Sequence, residues 1–166
     1  LLGGATANAV LRAKGFRVWL AGEDVRFVKE AGALAKNRSV LLPKDLVAKR
    51  GQRLEAVSVK DLRGEQAVDI GPKTVLEFQK ALGRAKTVIW NGPLGIIEKP
   101  FGRKGTRQVA GKVSSKQFSL VGGGDTIAAL TEMKLLKRFS YVSTGGGALL
   151  SYLAGEKLPA LEALKR

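Results

Sequence analysis

Apolar residues occur along the chain both as short runs bounded by glycine or proline and as longer stretches with helical spacing. Short runs of this kind predict buried strands, and spacings of three and four residues predict helices with one apolar face. The predicted strands cover residues 16–20, 39–43, 55–59, 67–72, 86–90, 120–121 and 139–142, with a loop at 45–54. The predicted helices cover residues 7–14, 22–36, 73–84, 101–115 and 158–164, together with the segments that follow residues 125 and 148.

Strands and helices that alternate in this way indicate an α/β fold, doubly wound and Rossmann-like, with a mostly parallel sheet and helices on both faces. The chain opens on Leu1 and Leu2, which resemble the end of a strand, and no Met or targeting segment precedes them. We therefore expect one partial domain over residues 1–166, lacking the first strand and helix of its fold, within a longer protein.

The charge balance adds an expectation about ligands. The chain carries 29 Lys and Arg against 14 Asp and Glu, a net charge of +15, which favours binding of polyanions and phosphorylated ligands. The densest basic cluster (Lys44, Lys49, Arg50, Arg53) contains no aromatic residue that could stack on a base. The absence of cysteine and histidine excludes disulfides, thiolate zinc sites and a Ser-His triad. No apolar run approaches the roughly 18 residues of a membrane span.

A glycine-rich turn after the run at residues 120–121 carries the strongest chemical signal. Gly122, Gly123 and Gly124 are followed by Asp125 and Thr126 and then by a helix-forming segment. Backbone amides at a helix N-terminus bind anions, and a carboxylate next to them suits a magnesium-bound phosphate. The alternative is that Asp125 or Thr126 only caps the helix.

Two further segments repeat this arrangement. Residues 143–148 follow another β-type run with three glycines, and Gly3 and Gly4 form a weaker copy at the start of the chain. Ligands of open parallel sheets bind at the carboxyl ends of the strands. We therefore expect the three turns to lie along one edge of the sheet and to bind a phosphorylated ligand there.

The order of these segments resembles the phosphoglycerate kinase family. The resemblance is carried by residues 88–98 (Val-Ile-Trp-Asn-Gly-Pro-Leu-Gly-Ile-Ile-Glu), then Gly105 with Thr106, then residues 121–126 and 143–148. It continues through residues 69–74 and covers essentially the whole chain, but only the later part of the family's usual length.

That resemblance implies two doubly wound domains, of which the second binds MgADP or MgATP and the first binds 3-phosphoglycerate or 1,3-bisphosphoglycerate. This chain resembles the second domain, so the implied activity is phosphoryl transfer between 1,3-bisphosphoglycerate and ADP, a step of glycolysis in the cytoplasm. The family's lysine-bearing turn and its phosphoglycerate domain would precede Leu1. The 166 residues alone are therefore expected to be inactive.

The resemblance also assigns residues to the nucleotide base and ribose. By it, Gly4 and Ala5 border the adenine, with Ala5 at a usual glycine position, and Val68 packs on the base at a usual leucine position. The ribose and base pocket is lined by Asn91, Pro93, Gly95 and Ile96, and Glu98 binds the ribose hydroxyls. Glu98 and Lys99 could instead be only a solvated pair, while Val88 and Trp90 are interpreted as core.

The resemblance also assigns residues to the phosphates of the nucleotide. By the resemblance, Gly122, Gly123 and Gly124 offer amides to the phosphates, Asp125 holds Mg²⁺, and Thr126 supports the phosphate end. The glycines before the next helix, including Gly146, stabilise the transferring phosphoryl group together with Gly123 and Gly124.

A second hypothesis belongs to another class of protein. The net charge of +15 and the absence of the lysine turn and substrate domain also fit a non-catalytic descendant that serves as a basic structural subunit of an RNA-containing assembly. Tight, steeply salt-dependent RNA binding would distinguish this hypothesis. Neither hypothesis places the chain in a membrane.

Overall fold

The computed structural model describes residues 1–113 and 117–164, which form two compact units. The first unit comprises Leu1–Arg84 and Pro93–Lys112, and the second comprises Ala85–Gly92 and Val113–Arg166. None of the described helices has the length and apolar content needed to cross a membrane.

The first unit combines four α-helices with a three-stranded antiparallel sheet. The helices are α1 (Gly4–Ala13), α2 (Val28–Lys36), α3 (Pro72–Leu82) and α4 (Lys104–Ala110), and the strands are β1 (Asp45–Arg50), β2 (Arg53–Ser58) and β3 (Ala67–Ile70). The strand order is β2-β1-β3. Short 3₁₀ helices span Gly22–Phe27, Val59–Asp61 and Pro100–Gly102.

The apolar faces of the helices form the core of this unit. Ala9 and Val10 of α1 pack against Ala31 of α2. On α3, Val75, Phe78 and Leu82 are all buried, as their spacing predicts. The observed α3 therefore agrees with the predicted helix at 73–84 to within two residues at its ends.

The hairpin of β1 and β2 differs from the sequence expectation. Residues 45–54 were predicted to form a loop, but residues 45–50 form β1, and Arg50 pairs with Arg53 across a two-residue turn. Gly51 has a φ of 59°, which such a turn requires and which glycine adopts readily. The irregular pattern arises because Asp45 is buried together with Leu46 and Ala48. This sheet is antiparallel, whereas the mostly parallel arrangement is found in the second unit.

The second unit contains a parallel sheet with the order β4-β5-β6. Its strands are β4 (Thr87–Asn91), β5 (Phe118–Gly122) and β6 (Tyr141–Ser143). The helices of this unit are α5 (Gly124–Glu132), α6 (Gly147–Leu153) and α7 (Pro159–Leu164), with a 3₁₀ helix at Leu136–Arg138. Parallel strands linked through helices confirm the predicted Rossmann-like α/β class.

The two faces of the parallel sheet differ in burial. Val88, Trp90 and Val121 are buried, and the Trp90 ring meets the Phe139 ring edge-on at a centroid distance of 6.0 Å. This confirms the interpretation of Val88 and Trp90 as core. Ile89 and Phe118 lie on the other face of the sheet, and they are 51% and 56% exposed.

Two predicted strands do not form. Residues 16–20 and 39–43 have no strand assignment. The Arg17 carbonyl accepts from the Gly64 amide, and the Trp19 amide donates to the Glu65 carbonyl, which is too short a pairing to make a ladder. Leu41 likewise accepts one backbone hydrogen bond, from the Leu2 amide. The helix predicted at 101–115 is confined to α4, and the part of that prediction at 114–116 lies outside the described residues.

Candidate functional site

The carboxyl ends of the three parallel strands in the second unit meet in one row. In the sheet register Asn91 at the end of β4 pairs with Gly122 of β5, and Gly122 pairs with Ser143 of β6. Two of the three predicted glycine-rich turns therefore follow neighbouring strands at the same edge. The third, at Gly3 and Gly4, belongs to the first unit and precedes α1.

The turn after β5 presents the backbone amides of a helix start. Gly123 has a φ of 88° and directly precedes α5, which begins at Gly124. The first amide of this helix with a backbone acceptor is that of Ile127, which donates to the Gly123 carbonyl at 3.0 Å. The amides before it point along the helix axis with no intrahelical acceptor, as at every helix start. They form the donor set that an anion requires.

Thr126 holds this turn to the end of β4. Its side chain is 1% exposed, and its Oγ1 accepts a hydrogen bond from the Gly92 amide at 2.9 Å. The hydroxyl oxygen thus accepts its hydrogen bond from a backbone amide of the protein itself. Within the described residues α5 has no side-chain cap, so the alternative in which Asp125 or Thr126 caps the helix is not observed.

Asn91 lies against the same turn. A Cβ atom built on Gly123 would be 3.3 Å from Asn91 Nδ2 and 3.3 Å from Thr126 Oγ1. A Cβ atom on Gly122 would be 2.5 Å from Leu149 Cδ2. The structure therefore brings Asn91, Thr126 and these two glycines together. A side chain at Gly123 would be strained by the positive φ, and one at Gly122 would require the Leu149 side chain to move.

Asp125 offers an exposed carboxylate in the first turn of α5. Among the residues that the structure describes, no three His, Cys, Asp or Glu side chains lie close enough together to hold a metal ion. A single carboxylate nevertheless fits Mg²⁺, which commonly binds one or two protein carboxylates and takes its other ligands from substrate phosphates and water. The donor set suits a metal that arrives with a phosphorylated ligand.

The turn after β6 has a similar form. Gly146 has a φ of 47° and precedes α6, while the Gly145 amide donates to Ser143 Oγ at 3.3 Å. The Ala148 amide donates to the Gly145 carbonyl at 2.9 Å. Ser143 Oγ and the Gly145 carbonyl thus fix the turn, with Gly146 directly before the helix and Gly147 as its first residue.

In the first unit, the predicted base-site residues cluster around the loop at 93–96. The Gly4 amide donates to the Leu94 carbonyl at 3.1 Å, and a Cβ atom on Gly4 would be 3.0 Å from the Pro93 carbonyl oxygen. The loop thus packs directly on the start of α1. Ala5 is exposed in the first turn of that helix.

The other end of this loop joins β3. The Ile96 amide donates to the Val68 carbonyl at 2.8 Å, and a Cβ atom on Gly95 would lie 2.6 Å from the same oxygen. Val68 itself is only 4% exposed. Its carbonyl therefore positions Gly95 and Ile96, and only a small part of its side chain can meet a ligand.

Glu98 is exposed at the end of this segment. The part of the chain that the structure describes contains no ion pair between Glu98 and Lys99, and the Lys99 ammonium instead lies 5.8 Å from the centroid of the Phe101 ring. Both residues are exposed, and their interpretation as a solvated pair remains a prediction beside the ribose role of Glu98.

Sequence reasoning missed the part played by Asp69. This carboxylate is 3% exposed and accepts hydrogen bonds from the Ile70 amide at 2.8 Å and the Gly105 amide at 2.7 Å. Burial raises the pKa of Asp69 to about 6, although these amides and Lys104 act in the opposite direction. The only sequence signal is an acidic residue inside an apolar run, which indicates a buried carboxylate without naming its partners.

Comparison with known proteins gives consistent matches. The family model for phosphoglycerate kinase matches residues 1–156. The phosphoglycerate kinase of Baumannia cicadellinicola is 40% identical over 170 residues, and that of Desulfosudis oleivorans is 41% identical over 177 residues. The alignments cover 99% and 100% of this chain but 43% and 45% of those proteins.

Solved structures agree with these matches. The crystal structure of phosphoglycerate kinase from Pyrococcus horikoshii has a TM-score of 0.84 at 30% identity and covers 98% of this chain and 44% of its own. The Coxiella burnetii structure has a TM-score of 0.76 at 34% identity, covering 96% and 44%. The chain thus spans less than half the length of the relatives that it matches.

Proposed function

The chain belongs to the phosphoglycerate kinase family, and we propose from this that it is a partial nucleotide-binding domain of an enzyme that transfers a phosphoryl group between 1,3-bisphosphoglycerate and ADP. The observation that carries the proposal is the turn between β5 and α5. It joins helix-start amides, an exposed Asp125 and a Gly123 at which the positive φ and the close neighbours disfavour a side chain. This combination suits the phosphates of a nucleotide better than it suits a purely structural turn.

The residues of the β5 turn would bind the phosphate end. The amides of Gly123 and Gly124 donate to phosphate oxygens, and the start of α5 adds the favourable end of its dipole. Thr126 keeps the Gly92 loop and Asn91 beside this turn, so the donors are positioned before the ligand arrives. The glycines around Gly146 would donate to the transferring group, because phosphoryl transfer depends on positioning and charge neutralisation.

Asp125 would hold Mg²⁺ that enters with the nucleotide. When bound, the metal neutralises charge on the phosphate oxygens. The role of Asp125 is to fix one coordination position with an oxygen ligand. Its exposure on the first turn of α5 leaves the remaining positions to phosphate and water.

The base and the ribose are assigned to the residues that the family resemblance names for them, Asn91 included. Gly4 and Ala5 border the adenine, and Pro93, Gly95 and Ile96 form the loop wall that the Val68 carbonyl holds. Glu98, exposed and without an ion pair among the described residues, would accept hydrogen bonds from ribose hydroxyls. 3-Phosphoglycerate or 1,3-bisphosphoglycerate would bind to a domain beyond these residues.

Calorimetric titration with ADP, with and without Mg²⁺, tests the nucleotide site. For D125N in the full natural chain we expect about tenfold weaker binding of MgADP, because one charged interaction is lost, and little change for metal-free ADP. E156Q changes an exposed carboxylate of the same unit and serves as the control. Equal MgADP affinity in D125N and the unaltered protein would remove the assignment of Asp125.

Failure of MgADP to bind at millimolar concentration would contradict the nucleotide proposal as a whole. If that failure came with tight, steeply salt-dependent RNA binding, the hypothesis of a structural subunit in an RNA-containing assembly would replace it. In a coupled assay with 1,3-bisphosphoglycerate and MgADP, we expect no turnover from the 166 residues alone.

A further inference from the structure

The first unit contains a basic cleft that the proposed function does not use. Its volume is about 350 Å³, and it is lined by Arg12, Gly15, Phe16, Arg17, Arg63 and Gly64. These residues come from the end of α1 with the turn after it, and from the turn that precedes β3. We call this feature the arginine cleft.

Backbone contacts hold the two sides of the arginine cleft together. The Gly64 amide donates to the Arg17 carbonyl at 2.8 Å, which ties the second turn to the first. Arg12 Nη1 donates to the Val18 carbonyl at 2.9 Å, so one guanidinium is fixed across the turn. A Cβ atom built on Gly15 or Gly64 would meet no atom within 4 Å, so neither turn closes the cleft.

Among the residues that the structure describes, no ion pair joins a carboxylate to any of the three arginines of the cleft. Within the described residues, the ion pairs are Lys44 with Glu77 and Arg50 with Glu65. Glu65, which directly follows Gly64, is already used on both oxygens: Oε1 accepts from Arg50 Nε at 2.6 Å and Oε2 accepts from the Arg63 amide at 2.5 Å. Both carboxylate oxygens of Glu65 are therefore occupied, one by Arg50 and the other by a backbone amide.

Three positively charged residues line one small space, and an anion bound among them would reduce their mutual repulsion. Guanidinium groups bind phosphate through paired hydrogen bonds, and they are less strongly hydrated than ammonium groups. The volume also falls within the roughly 300–1,000 Å³ typical of small-molecule sites. Both the charge and the size of the arginine cleft thus match a small, multiply charged ligand.

We propose that the arginine cleft binds a small anion with a multiply charged phosphate group, at a site separate from the residues assigned to the nucleotide. Arg12, already held by the Val18 carbonyl, provides a fixed guanidinium. Arg17 and Arg63 are exposed and would turn toward the ligand from opposite sides. Occupation would relieve repulsion among the three charges and stabilise the folded chain.

Titration with inorganic tripolyphosphate in the presence of saturating MgADP tests this proposal in the full natural chain. We expect one tripolyphosphate per chain, and about tenfold weaker binding for each of R17Q and R63Q, because each removes a charged hydrogen-bonding group. The double variant R17Q/R63Q should bind about a hundredfold more weakly. Arg12 is left intact because its hydrogen bond to Val18 supports the turn.

The matched control is R53Q/R84Q, which removes two exposed arginines of the same unit that do not line the cleft. Equal losses in R17Q/R63Q and R53Q/R84Q would overturn the proposal, because they would indicate a non-specific effect of net charge. Tighter binding of a single-stranded RNA, with a steep salt dependence and a further loss in W19A, would also overturn it. Trp19 is 45% exposed but does not line the cleft.

Loss of MgADP binding with retained tripolyphosphate binding would refute the proposed nucleotide site and leave the arginine cleft supported. Loss of tripolyphosphate binding with retained MgADP binding would refute the anion site in the arginine cleft alone. Thermal unfolding provides an independent readout of folding, since R17Q/R63Q should unfold at a temperature equal to or above that of the unaltered protein when no anion is added.

Discussion

Asp69 combines burial with an unusual protonation equilibrium. Its folded pKa of about 6 lies above its ordinary value of 3.8, so folding favours the protonated carboxyl. The resulting stabilisation is complete below pH about 3.8 and is lost as the pH rises through about 6. Asp69 therefore makes the fold less stable at neutral pH than at pH 4 to 5, other groups being equal.

We predict that D69N removes this dependence. The difference in free energy of unfolding between the unaltered protein and D69N, measured with urea at several pH values, should fall as the pH increases from about 4 to 7. D61N, at an exposed aspartate of the same unit, should leave the profile unchanged. A difference that is flat or that rises with pH would contradict the raised pKa.

Gly123 gives a second prediction for a single residue. In G123A the new methyl group must lie near Asn91 and Thr126 while φ stays close to 88°. We expect a loss of about 1–3 kcal/mol in the free energy of unfolding, together with weaker MgADP binding. At Gly124 a Cβ atom would meet no atom within 4 Å, so G124A should be neutral or slightly stabilising by urea denaturation. Equal effects of the two substitutions would argue against a restricted turn.

Among the elements, β1 and α3 are joined by buried polar contacts. The Asp45 carboxylate, at the start of β1, accepts hydrogen bonds from the Thr74 amide at 2.8 Å and from the Lys73 amide at 3.1 Å. It therefore caps the N-terminus of α3. Thr74 Oγ1 in turn accepts from the Lys44 and Asp45 amides at 3.0 and 3.1 Å. Both side chains are buried, so water cannot replace these partners.

T74V keeps the shape of Thr74 but leaves the two amides without their hydroxyl acceptor. We predict a loss of about 2–4 kcal/mol in the free energy of unfolding, since each unsatisfied buried group costs about 1–3 kcal/mol. T87V changes an exposed threonine of β4 and should alter stability by less than about 0.5 kcal/mol. A similar stability of T74V and the unaltered protein in urea would show that the contact contributes little.

The same elements show how far sequence alone could lead. The helix α3 and the strand β4 were predicted closely, because proline, glycine and apolar spacing are local signals. The cap that Asp45 provides for α3 joins residues far apart in the chain, and no local pattern reports it. The hairpin was missed because burial of Asp45 breaks the expected alternation, and that burial depends on Thr74.

The candidate site likewise has features that the sequence predicted and features that it could not predict. Asn91 and the glycines of the β5 turn were identified from sequence and resemblance, and the register confirms that Asn91 and Gly122 are neighbours. The bond from the Gly92 amide to Thr126 could not be predicted, because it depends on how α5 lies against the loop after β4. The arginine cleft escaped notice because its two turns, at residues 12–17 and 63–64, are separated by more than forty positions in the chain.

For the whole molecule, the net charge of +15 is the dominant electrostatic quantity. Self-repulsion of this size opposes the compact state, and salt screens it as the Debye length falls from about 30 Å at 0.01 M to about 10 Å at 0.1 M. We predict that the midpoint of thermal unfolding rises with sodium chloride over this range. R53Q/R84Q, which removes two of the fifteen net charges, should show a shallower rise. A midpoint that falls or stays constant would contradict this prediction.

The division of the first unit into two sequence segments has a consequence for synthesis. Ala85–Gly92 belongs to the second unit, so the first unit cannot be completed until Pro93–Lys112 has left the ribosome. During that interval β4 has been made, but β5, its partner in the sheet, has not. The nascent chain therefore carries an unpaired apolar strand, with Val88 and Trp90 uncovered, while the translating ribosome adds residues at about 5–20 per second. That strand is the segment on which we expect a chaperone to act first.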